Sequence, residues 1–216
     1  MAFRIYWLVV CSFGVMFPRD GAHGGDAFSG PGIAEIVRLH DAAIDGDKAQ
    51  VLEAEERIRA FLAGHPSDRL ARAYLGSLLT IKAGKAFPGP SKLGYLKEGL
   101  KMLDAVVEEA PDDVAARFVR AMNNYNLPAF IRRRDNARAD FKVLLKQVGD
   151  PGQRSRLGDR VVQAICYYAG MALRAERERG EALDAWRMGL ALGRETEMGQ
   201  KIAKELAREE KASRGG

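Results

Sequence analysis

The chain is poor in the residues from which chemistry is usually built. Its 216 residues contain two cysteines, three histidines and two tryptophans. Cys11 lies in an apolar N-terminal stretch, so a chain shortened past it keeps only Cys166 and has no partner for an intramolecular disulfide. An oxidising compartment is therefore permitted without being indicated. The histidines do not return beside carboxylates at metal-ligand spacing, and no metal or cofactor is expected. His40-Asp41 stands alone, His65 precedes Pro66 at a helix end, and Asp45-Gly46-Asp47 lacks the glutamate that closes a calcium loop. There is no Gly-rich phosphate loop and no Ser/His/Asp set legible in the sequence, so the chain is not expected to be an enzyme. Charge of one sign is also scarce: the formal net charge is +5. Together with interspersed acids and the lack of a nucleic-acid motif, this argues against nucleic acid as a partner. No useful run of alternating apolar and polar residues signals a strand.

What is present begins with residues 1–24. Arg4 gives a short positive start, Ile5 to Phe17 carries no charge, Pro18 interrupts, and Ala22-His23-Gly24 places small residues where a signal peptidase reads. The pattern predicts a secretory signal peptide, with an apolar core too short for a lasting membrane anchor. The expected destination is the periplasm or the exterior. Residues 25–32 then form a linker, 33–211 a helical domain and 212–216 a frayed tail.

Within 33–211 a small residue, a second small residue and a large apolar one recur in order. The sets are Ala42–Ala54–Ile58, Gly76–Gly99–Leu103, Ala121–Ala137–Phe141 and Gly170–Ala182–Trp186. Residues four apart share a helical face, and small side chains let two helix axes approach to about 8–10 Å. Pro66-Ser67-Asp68 and Pro111-Asp112-Asp113 are near-identical joints, with Ser or Asp placed to cap the next helix. Ala42 and Gly76 stand 34 residues apart, the period of the tetratricopeptide repeat. The chain resembles that family in its Leu75-Gly76…Leu79 and Ala169-Gly170…Leu173 patterns and in the second-helix residues named above. Arg117, Asn124 and Cys166 stand where the family has large apolar or aromatic residues. Residues 83–90 and 126–130 are expected to lengthen two inter-helix turns, Gly149–Gly152 to form a linker, and 196–211 to form a terminal helix.

The resemblance implies an all-α, right-handed superhelix of about four helix-turn-helix units with a C-terminal capping helix. It also implies a concave groove, lined by the first helix of each unit, that binds a protein or peptide. Register carries Leu70, Ala73, Ser77 and Thr80 onto that groove, then Ala115, Phe118 and Met122, then Ala164 and Met171. The residues chosen for partner contact are Tyr125, Asn126, Tyr167 and Arg174, which combine aromatic, amide and guanidinium groups. The leading expectation is a non-catalytic adaptor of the cell envelope. An accessory subunit of an envelope enzyme would look the same. A second expectation is a receptor for a small anion, held by Arg117, Arg120, Asn123 and Asn124. Alternatively those arginines pair with Asp104, Glu108 or Glu109. The Phe87-Pro88-Gly89-Pro90 tip is either a lid or packing.

Overall fold

The computed structural model describes residues 32–214; the expected signal peptide and all but the last residue of the linker lie outside them. Among the described residues there are ten α-helices and no strand, so the all-α expectation holds. Four antiparallel pairs follow one another: α1 (Ile33–Asp45) with α2 (Lys48–Gly64), α3 (Arg69–Lys85) with α4 (Pro90–Glu109), α5 (Val114–Asn126) with α6 (Arg134–Gly149), and α8 (Asp159–Ala175) with α9 (Arg179–Leu190). A short α7 (Pro151–Leu157) precedes the last pair and α10 (Glu197–Arg214) follows it.

Local chemistry sets the helix starts. Asp47, Asp68, Asp113 and Asp150 each accept the backbone N–H three residues on, and Asp47 and Gln50 complete a capping box. Such caps satisfy donors that the first helical turn leaves orphaned. Pro90 and Pro151 open α4 and α7, where a missing N–H costs nothing.

Each second helix packs on its own first helix and on the first helix of the next pair. The first helices also touch in sequence: α1 on α3, α3 on α5, α5 on α8. They run parallel. Near their C-terminal ends Lys85 Nζ donates to the carbonyls of Ile44 and Gly46, while at the N-terminal ends Arg69 Nε meets Asp113 Oδ2 at 3.0 Å. One extended apolar core spans the pairs, and a smaller cluster of Leu173, Ala182, Trp186 and Ile202 sits where α8, α9 and α10 meet.

Several local expectations are corrected. Ala42 is exposed, and the fully buried small residue of α1 is Ala43. The apolar stripe Ile33, Ile36, Val37, His40, Ala43, Ile44 decides the helix's rotation and turns Ala42 outward. Residues 83–90 do not make a long turn. The extra residues extend α3 through Lys85 and start α4 at Pro90, leaving Ala86–Gly89 as the link. Gly149–Gly152 is no free linker either, because Asp150 and Pro151 start α7. The expected lengthening around residues 126–130 is present: α5 ends at Asn126, α6 starts at Arg134, and a single 3-10 turn, Ala129–Ile131, lies in the link. Helix α10 runs through Arg214, and residues 215–216 of the expected tail lie outside the described residues.

Candidate functional site

The first-helix face divides sharply. Leu70, Ala73, Ser77 and Thr80 of α3 are buried, as are Ala115, Phe118 and Met122 of α5 and Ala164 of α8. They therefore serve packing. Partial exposure is kept by Tyr125 and Asn126 at the end of α5, and by Tyr167, Met171 and Arg174 along α8. These half-buried side chains belong to two helices that touch.

Each member is held in place. The Tyr125 ring meets Phe141 edge-on at 6.3 Å, and Asn126 Nδ2 donates to the Met122 carbonyl at 2.9 Å. The Tyr167 ring lies 5.0 Å from that of Tyr168, and its carbonyl accepts from Trp186 Nε1 at 3.2 Å. Rings fixed in this way lose little rotamer freedom on contact with a partner. Arg174 differs, because Nη1 lies 2.7 Å from Glu205 Oε2 and 3.7 Å from Glu209 Oε1. Its guanidinium also sits 5.5 Å from the centroid of the Trp186 ring. In this arrangement Arg174 ties α10 to α8.

The arginine–asparagine segment meets carboxylates. Arg117 Nη1 donates to Asp140 Oδ1 at 2.7 Å and Nη2 to the Pro111 carbonyl; Arg120 grips both oxygens of Asp140 at 2.8 and 2.6 Å. Asp104 joins Arg120 at 3.4 Å and also binds Arg133. Burial works against the Arg120 charge, but hydrogen bonding to Asp140 and the fields of Asp140, Asp104 and Glu108 lift its pKa above the ordinary value. Asp104 was a partner expected from sequence; Asp140, on the following helix, was missed. Its spacing from Ala137, which also faces inward, placed it on a buried side of α6, and that was the available signal. Asn123 Oδ1 accepts from the Thr80 hydroxyl, whereas Asn124 is fully buried with both amide atoms unpaired.

Sequence reading also missed a cluster between α1 and α3. His40 Nε2 lies 2.9 Å from Ser77 Oγ, and His40 Nδ1 lies 3.5 Å from Asp41 Oδ1. The order resembles that of a nucleophilic triad. Yet His40 is 0% and Ser77 3% exposed, and the Tyr74 ring closes on His40 at 5.0 Å. That leaves no place for a substrate carbonyl, and the cluster joins the two helices. Burial likewise pushes the Cys166 thiol up to about 12, far from a reactive thiolate.

At the α3–α4 link, Phe87 is 81% exposed with Lys48 Nζ 4.3 Å from its ring centroid, so it does not fold back as core packing. No group of three or more His, Cys, Asp or Glu among the described residues could hold a metal ion. No described helix is long and apolar enough to cross a membrane.

Among the described residues these features define an all-helical arrangement of consecutive helix pairs with half-buried tyrosines on α5 and α8. Comparison with protein-family models, curated proteins and solved structures finds no match.

Proposed function

We propose that the chain is a non-catalytic adaptor of the cell envelope whose helix pairs form a tetratricopeptide-like superhelix. On this reading it is exported by its N-terminal leader and binds a protein or peptide segment along the first helices of its last two pairs. The observation that carries the reading is the split in the first-helix face: Leu70, Ala73, Ser77 and Thr80 of α3 are buried, while Tyr125, Asn126, Tyr167 and Met171 stay half-buried on α5 and α8. Helix pairs that contact chiefly their neighbours, with a small residue at the pair contacts, support the repeat assignment. An extended segment laid on this strip would bury apolar anchors against Tyr125, Tyr167 and Met171. The free carbonyl of the Asn126 amide would fix its register.

Arg174 is left out of the binding set because it already clamps α10. The test is affinity capture from envelope extract with the full chain beside a Tyr125→Ala, Tyr167→Ala variant of matched helicity. The proposal expects a protein retained by the parent and lost from the variant. Identical capture by both baits, or none by either, would refute it.

A further inference from the structure

Three of the five exposed large apolar side chains among the described residues lie toward one edge: Phe87, Leu93 and Phe130. The parallel course of α1, α3 and α5 brings their C-terminal ends to that edge, as the Lys85 bonds to Ile44 and Gly46 and the Thr80–Asn123 bond require. The α3–α4 link and the α5–α6 link both leave from there. Phe87 and Phe130, 81% and 77% exposed, project from these two links. Lys48, the first residue of α2, reaches the Phe87 ring, and the exposed Asp45 and Asp47 stand beside Lys85 at the same edge.

The charge on the two links has one sign. Residues 82–97 hold Lys82, Lys85, Lys92 and Lys97 with no acid, and residues 127–134 hold Arg132, Arg133 and Arg134 with no acid. Lys82, Lys85 and Arg133 are spent on Glu55, on carbonyls and on Asp104. Lys92, Arg132 and Arg134 form no ion pair among the described residues, and Arg132 and Arg134 are exposed. The nearby Asp135 is met by Arg138 at 3.1 Å. Arg132 also takes a left-handed backbone (φ 59°), a conformation that favours glycine, and there it closes the turn carrying Phe130.

From this juxtaposition we propose that the edge is a docking surface for an anionic lipid bilayer. Phe87, Phe130 and Leu93 enter the headgroup–acyl boundary while Lys92, Arg132 and Arg134 lie against the lipid phosphates. Aromatic tips beside unpaired cations are the arrangement that interfacial binding uses, since apolar burial and surface charge each contribute. The edge adjoins Tyr125 and Asn126 at the end of α5, whereas Tyr167 and Met171 lie on α8.

The test uses the full chain with Phe87→Trp and Trp7→Phe, Trp186 remaining as a buried reference. Emission is followed with phosphatidylcholine vesicles and with mixed phosphatidylcholine/phosphatidylglycerol vesicles, each carrying brominated acyl chains. The proposal expects quenching and a blue shift of the introduced indole only when phosphatidylglycerol is present. Adding Arg132→Glu and Arg134→Glu should weaken that response about ten-fold or more. An indole that stays in water while the protein floats with the vesicles would overturn the proposal, since another segment would then hold the membrane. So would equal quenching by both lipids, no vesicle binding, or a response unchanged by the charge reversals.

Discussion

The second and fourth helix pairs use one sequence pattern to make two different contacts. In the second pair glycine meets glycine: a Cβ on Gly99 would stand 2.5 Å from the Gly76 carbonyl oxygen, and one on Gly76 3.0 Å from that of Gly99. Backbone lies on backbone. In the fourth pair glycine meets a ring, because a Cβ on Gly170 would fall inside the Trp186 indole. The second pair belongs to the extended core, whereas Trp186 anchors the smaller cluster with Leu173, Ala182 and Ile202. The same small–small–large order therefore marks which helices pair without fixing which atoms meet. The middle of the stack is tied by backbone proximity, and its C-terminal end by one large side chain.

The largest effect should come from removing that side chain. Trp186→Ala is expected to cost about 3–5 kcal/mol and to release α10 as well, since Ile202 and the Arg174 guanidinium both lie against the ring's surroundings. Denaturant titration would measure the loss, and hydrogen exchange confined first to α8–α10 would show where it falls. Asp140→Ala is expected to cost a similar amount, about 3–5 kcal/mol, because it strands Arg117 and Arg120 with little water around them. An Asp140→Asn variant that folds as well as the parent would contradict the charge argument.

Next come the glycines. Gly99→Ala and Gly170→Ala should each destabilise by about 1–3 kcal/mol through overpacking. What separates them is rescue. Trp186→Leu should recover part of the Gly170→Ala loss in a double-mutant cycle, because the obstruction is a side chain. No side-chain change should recover Gly99→Ala, where the obstruction is the Gly76 carbonyl. Equal rescue in both pairs would erase the distinction.

The last effect is one of pH and is absent at neutrality. Burial raises the Cys166 thiol to about 12 from an ordinary 9.0. Above about pH 9 the unfolded chain loses this proton while the folded chain keeps it, so stability falls as pH rises. The expected slope is about 1.4 kcal/mol per pH unit in excess of that of Cys166→Ala. Matching slopes for the two proteins between pH 9 and 11 would disprove the burial effect.

The sequence made the helix pairs legible because their signals are local. Asp68 and Asp113 cap where the Pro-containing joints place them, and Gly76, Gly99 and Gly170 mark close contacts between helices. What it hid depended on rotation and on distant partners. Ala42 and Ala43 are equivalent as letters, and only the whole apolar stripe of α1 decides which turns inward. Residues 83–90, with their glycines and prolines, resembled a loop, yet Pro90 suits a helix start as well as a turn. Arg174 resembled a groove cation because its true partners, Glu205 and Glu209, lie about thirty residues on, in a helix whose docking the repeat pattern does not encode. Tyr125 and Tyr167 were placed by register alone, and both are partly exposed on their helices.

The central claim is that this half-buried strip meets a partner. The most direct measurement is photo-crosslinking in envelope preparations, with a benzophenone side chain placed at Tyr125 or Tyr167 and, as outer-face controls, at Leu52 or Val143. The account predicts one common adduct from the two tyrosine positions and none from the controls. Adducts that form equally from Leu52 and Val143, or fail to form at both tyrosines, would contradict it.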